Sequence, residues 1–135
     1  MVKIKNEIDK MKNLEMRIGI ICLSFILMII SGIWMSKTGK PYHTAVFTVH
    51  KLSAVLMVIF TVILILDINK NRGITNFEWI LFIFTGLFFL LSFITGALMS
   101  FEKPVKAIIS ITHKIMPYFI LVAAILSVFI LFRDK

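Results

Sequence analysis

Four uninterrupted apolar runs dominate the chain: roughly Ile18 to Met35, Ala45 to Leu66, Trp79 to Met99 and Ala107 to Phe132. Each holds about 18 to 26 residues, enough at about 1.5 Å per residue to cross a hydrocarbon core of about 30 Å. A membrane barrel would show short segments of alternating polarity instead, so the backbone groups of these runs are best satisfied inside helices. The gaps between runs are short, which forces neighbouring spans to be antiparallel. The expected fold is therefore all-α, a polytopic up-down bundle of four membrane helices. With 59% hydrophobic and 16% charged residues and a mean hydropathy of +0.98, the 135-residue chain falls outside the range of ordinary soluble domains.

The formal charge of +8 is distributed as a topology signal. Lys3, Lys5, Lys10, Lys12 and Arg17 precede the first span, Lys70 and Arg72 lie between the second and third, and Arg133 and Lys135 close the chain. Those nine fall on one side, against four (Lys37, Lys40, Lys103 and Lys106) on the other, so the positive-inside rule predicts cytoplasmic termini. Basic residues that flank apolar spans do not form a soluble patch, and no nucleic-acid partner is expected. Localisation in a cell membrane follows, and the richness in Ile, Lys, Asn and Phe points to an AT-rich bacterial genome.

The chain divides into a basic cytoplasmic segment, 1–17, and a transmembrane domain, 18–132. In the first part, "MVKIKNEIDKMKNLEMR", Ile4, Ile8, Met11 and Leu14 or Glu15 recur at helical spacing. Two readings fit, an amphipathic helix on the inner leaflet or a continuation of the first span. That span exceeds a usual signal-peptide core and no small-x-small site follows "IWMSKTG", so it is expected to stay as an anchor. Its lone Cys22 reads as a small buried apolar residue, and leaves no disulfide, Cys-based metal site or Cys-x-x-Cys-His haem attachment.

Within the transmembrane domain a two-helix pattern occurs twice, over about 18–66 and 79–132. Pro41 precedes His50-Lys51 as Pro104 precedes His113-Lys114, with proline nine positions before histidine in both. With a one-residue shift, Ser31-Gly32 matches Thr95-Gly96 and Met35-Ser36 matches Met99-Ser100. Units of two spans share one orientation, so tandem repeats should be related by a pseudo-two-fold axis along the membrane normal. The prolines suit the first turn of a helix, which sets both histidines one to two turns below the outer interface. The axis would let the two imidazoles face each other.

An ionisable group in a span needs a partner. The plain reading is that each histidine bonds a neighbouring helix through Ser, Thr or a carbonyl. The duplication favours metal ligation instead, with His50 and His113 as opposed nitrogen ligands of one non-covalent b-type haem. Gly32 and Gly96, at similar depth, would let a macrocycle lie against the backbone or simply pack helices closely. His43, seven residues before His50, is expected on the same helical face about 10.5 Å nearer the outside. Its counterpart is Lys106, and both would meet haem propionates. Lys51 and Lys114 are further candidates, though snorkelling to the interface explains them equally well.

A Ser/Thr-Gly pair near the outer end of one span and a His-Lys near the outer start of the next resemble small four-helix membrane b-type cytochromes, the cytochrome b561-like and ferric-reductase-like kind. The resemblance covers most of residues 18–132. It implies haem held between helix histidines, here His50 and His113, and electron transfer between quinones or other reductants and their acceptors. Those proteins commonly use four histidines for two haems. This chain has three, all in its outer half, so one haem and a one-sided exchange with quinone or a redox partner subunit are expected.

Two other classes stay open. Met35 and Met99 are duplicated with the histidines, and thioether with imidazole suits Cu(I). A haem-free subunit or scaffold would use the histidines as glue between helices. Stand-alone hydrolase or transferase chemistry is disfavoured, because Asp67, Glu78 and Glu102 lie at span boundaries or in a loop and no phosphate-binding loop or nucleophile triad is present. Assembly into an oligomer is left open.

Overall fold

The computed structural model describes residues 2–101 and 105–133. They form four helices: α1 (Val2–Thr38), α2 (Thr44–Arg72), α3 (Asn76–Ser100) and α4 (Ala107–Arg133). The apolar stretches Met11–Thr38, Thr44–Arg72, Asn76–Ser100 and Ala107–Ile130 each hold an 18-residue window of high mean hydropathy (2.5, 2.4, 2.3 and 1.9), and each is long enough to cross a membrane. This is the make-up of a multi-pass membrane protein. The chain divides after Gly73 into two compact units, each a helical hairpin.

In the first hairpin α1 is continuous for 37 residues, about 55 Å at about 1.5 Å per residue. The basic N-terminal segment is therefore the start of α1, the second of its two readings. Both helices stop at a glycine with a left-handed backbone that a side chain would strain: Gly39 (φ 69°) and Gly73 (φ 76°). Their N–H groups close the last turns by donating to Met35 O (3.0 Å) and Asn69 O (3.1 Å). Because the break at Gly39 is followed by irregular chain, α2 begins only at Thr44. Pro41 thus lies in the connection and not in the first helical turn, a correction to the sequence expectation. Pro104 lies outside the described residues.

Packing in this hairpin runs through one face of each helix. On α1 Ser24, Met28, Ser31 and Met35 are buried, at spacings of four, three and four; on α2 the buried Ser53 and Met57 continue the face that begins at His50. Small hydroxyl side chains at this seam let the helices approach closely. The other faces carry Leu23, Ile26, Ile30, Ile33, Leu52 and Ile59, exposed as lipid-facing residues would be. Cys22 is also exposed, contrary to the expectation of burial, because it sits on this outward side of α1. At the end opposite the Gly39 turn, Arg17 of α1 forms an ion pair with Asp67 of α2.

The second hairpin starts from a capping box. Glu78 N–H donates to Thr75 Oγ1 (3.3 Å), while Glu78 Oε2 accepts from Thr75 N (2.9 Å) and Thr75 Oγ1 (3.0 Å). Glu78 is only 2% exposed, and the carboxylate also lies at the positive end of the helix dipole. The helices are joined by the buried Thr95 on α3, by Ile120 and Ala123 on α4, and by the Phe88–Phe119 ring pair at 5.6 Å. Pro117 sits inside α4, four residues after His113. Replacing Thr75 with Ala removes both hydroxyl bonds and is expected to cost about 1 kcal/mol, whereas Thr75→Ser keeps them. Thermal unfolding in detergent should rank parent and Ser variant together, above the Ala variant.

Candidate functional site

His50 and His113 are each the seventh residue of their helices, α2 and α4, and each ring is turned toward the preceding helix of its own hairpin. In the first hairpin His50 Nδ1 lies 2.9 Å from Met28 O and 3.2 Å from Ser31 Oγ. A carbonyl can only accept, so Nδ1 carries the proton and the neutral ring keeps its lone pair on Nε2. Ser31 directs its own hydrogen to Leu27 O, at 2.6 Å, with Met28 O at 3.1 Å. Its oxygen is then a second acceptor facing Nδ1–H.

The second hairpin repeats this arrangement atom for atom. His113 Nδ1 is 3.0 Å from Ser92 O and 3.2 Å from Thr95 Oγ1. Thr95 Oγ1 donates to Leu91 O at 2.8 Å and has Ser92 O at 3.1 Å. In both helices the hydroxyl residue is three positions after the accepting carbonyl, and a glycine is four positions after it.

The glycines explain why those carbonyls can be reached. In an α-helix each carbonyl bonds the N–H four residues on, and side chains lean back over the preceding turn. Gly32 and Gly96 leave that flank bare, and the imidazoles lie in the space. A Cβ built on Gly32 would stand 3.1 Å from His50 Cε1; one on Gly96 would stand 2.7 Å from His113 Cε1 and 3.3 Å from its Nδ1. The glycines therefore form shelves for the histidine rings themselves, a closer neighbour than the macrocycle inferred from sequence.

The other anticipated residues are more dispersed. His43 is the N-cap of α2, with φ −62° and ψ 121°, exposed and making no side-chain cap bond. It lies where the chain leaves helical geometry, so the seven-residue face argument does not carry to it. Lys106 precedes α4 in the same way, exposed, with its carbonyl accepting from Ile109 N at 3.0 Å. Lys51 is exposed and its Nζ sits 4.0 Å from the centre of the Phe47 ring, which stacks on Tyr42 at 5.9 Å. That side chain runs back toward the start of α2, the direction snorkelling requires. Lys114 is exposed, and of the two duplicated methionines Met35 is buried while Met99 is partly buried.

Comparison with protein families, curated proteins and solved structures found no match. The chemistry has to be argued from the residues. Sequence reasoning paired Ser31-Gly32 with Thr95-Gly96 and offered Ser, Thr or a carbonyl as the plain partner of each histidine, and the structure shows a hydroxyl and a carbonyl together at both. The accepting carbonyls of Met28 and Ser92 belong to unlike residues, and their one sequence signal is the glycine four positions on. Glu78 was placed at a span boundary, but its burial and its capping role were not anticipated, although the Thr-x-x-Glu of the capping box is readable in the sequence.

Since the Cβ contact is closer at residue 96 than at residue 32, Gly96→Ala should displace its histidine more than Gly32→Ala does. Imidazole ¹⁵N spectra of histidine-labelled protein are expected to show His113 losing its Nδ1–H···O signature in the first variant, with a smaller change for His50 in the second.

Proposed function

We propose that this protein is a membrane b-type cytochrome in which His50 and His113, one from each hairpin, hold a single non-covalent haem. The observation that carries the reading is the identical setting of the two rings. Each has Nδ1–H anchored to a backbone carbonyl, which makes Nε2 the lone-pair nitrogen, the tautomer and second contact typical of a metal-ligating imidazole. The donor set fits haem iron, since it offers two neutral imidazoles in an apolar setting with no covalent thioether.

In this reading the hairpins are tandem repeats of one two-helix unit, on the support of the duplicated Ser/Thr-Gly and His-Lys pairs. The termini are cytoplasmic, on the evidence of the nine-to-four division of flanking basic residues. The protein resides in a bacterial cell membrane, with both ligands in its outer half. Gly32 and Gly96 keep the backbone bare beside the rings. His43, Lys106, Lys51 and Lys114 supply positive or hydrogen-bonding groups near the interface, where propionates would emerge. Bound haem would supply one-electron chemistry. The chain's part is to orient the two imidazoles, exclude water and present the site to a quinone or an outer-surface redox partner.

One observation favours a second reading. The Nδ1 hydrogen bonds of each histidine are made to the other helix of its own hairpin, so the rings also serve as glue between α1 and α2 and between α3 and α4. A haem-free subunit would need no more.

The optical spectrum of detergent-purified protein, expressed with haem supplied, separates them. A sharp low-spin α-band after dithionite, lost or altered in both His50→Ala and His113→Ala, is the expected result. Absence of haem from the parent protein would sink the cytochrome reading.

A further inference from the structure

We infer that Ser31 and Thr95 are positioning residues that lock the proton of each imidazole onto Nδ1 and so present Nε2 to a metal centre, which on the reading above is haem iron. Either hydroxyl has two ways to meet an imidazole. It can donate to Nδ1, which would move the ring proton to Nε2 and remove the lone pair a metal needs. Alternatively it can accept from Nδ1–H, which keeps Nε2 as the donor atom.

The hydroxyl's own donation decides between them. A Ser or Thr hydroxyl has one hydrogen, and the carbonyl one turn back takes it: Ser31 Oγ is 2.6 Å from Leu27 O and Thr95 Oγ1 is 2.8 Å from Leu91 O. Only lone pairs are left to face the rings at 3.2 Å. Each Nδ1–H thus has two acceptors, the carbonyl and the hydroxyl oxygen, and the opposite tautomer would place a ring lone pair against both. Ser31 is 5% and Thr95 6% exposed, so water is poorly placed to substitute.

Two acceptors on Nδ1–H also shift electron density toward the ring. A more basic ligand favours the ferric over the ferrous state, so the hydroxyls hold the reduction potential down. Thr95→Val deletes the hydroxyl while keeping the shape, and Thr95→Ser keeps the hydroxyl while trimming a methyl. Thr85 makes the same kind of bond to Leu81 O at 2.8 Å with no histidine partner among those described, so Thr85→Ala reports the loss of a helix hydroxyl alone.

The test compares parent, Ser31→Ala, Thr95→Val, Thr95→Ser and Thr85→Ala in the full chain by redox potentiometry and haem retention, with ¹⁵N histidine spectra recorded without haem. Ser31→Ala and Thr95→Val are expected to raise the potential and weaken haem binding about 10-fold, with Thr95→Ser and Thr85→Ala close to the parent. Without haem, Nδ1–H should dominate in the parent and give way to a tautomer mixture at His113 in Thr95→Val alone. If Val and Ser variants at 95 shift equally, the effect is packing and the inference falls. An Nε2–H tautomer in the parent overturns it outright. A parent that takes up no haem but passes the tautomer test defeats the cytochrome reading and leaves the positioning role standing.

Discussion

An imidazole set inside an apolar layer must find an acceptor for its N–H without help from water, and the two hairpins are built around that requirement. An unsatisfied polar group there costs several kcal/mol on the scale of transfer to hydrocarbon. A helix normally has no backbone acceptor to spare, because its carbonyls are engaged within it and flanked by side chains. Removing one side chain, at Gly32 and again at Gly96, opens Met28 O and Ser92 O to a second donor. The close approach of α2 to α1 and the small residues Ser24, Ser31 and Ser53 along their seam follow from the same need. A bulkier seam would hold the ring out of reach.

The helix ends show a different physics. Gly39 and Gly73 stop α1 and α2 with a backbone conformation costly to other residues, and the Thr75–Glu78 box restarts the chain as α3. Arg17 and Asp67 are 25% and 46% exposed, a setting in which an ion pair contributes roughly 0.2–1 kcal/mol. Their value lies in registering α1 against α2 at the open end of the hairpin, while the histidine bond registers them near the turn.

The existence and approximate extent of all four helices were legible in the sequence, since runs of that length and apolarity have few alternatives. Which face of each helix turns inward was not. Lipid and protein interior are equally apolar, so periodicity fades, and Cys22 could be read as buried when it lies on the outward side. Pro41 was misplaced for a local reason: the irregular chain after Gly39 delays α2 to Thr44, which leaves the proline and His43 outside regular helix. The duplicated Ser/Thr-Gly and His-Lys pairs were visible as a pattern. Their meaning lay in two backbone oxygens, which no residue letter records.

The Nδ1–H of each histidine is met by the helix made just before its own, and this has a bearing on biogenesis. Chains fold in the order in which they are synthesised. His50 finds Met28 O and Ser31 as soon as the first pair of helices has been inserted, and has no need to wait for α3 or α4. The acceptors of its Nδ1–H are thus complete within the first hairpin, ahead of the remainder of the chain. The second hairpin repeats the sequence of events, with Ser92 O and Thr95 on α3 already in place when α4 brings His113 to them.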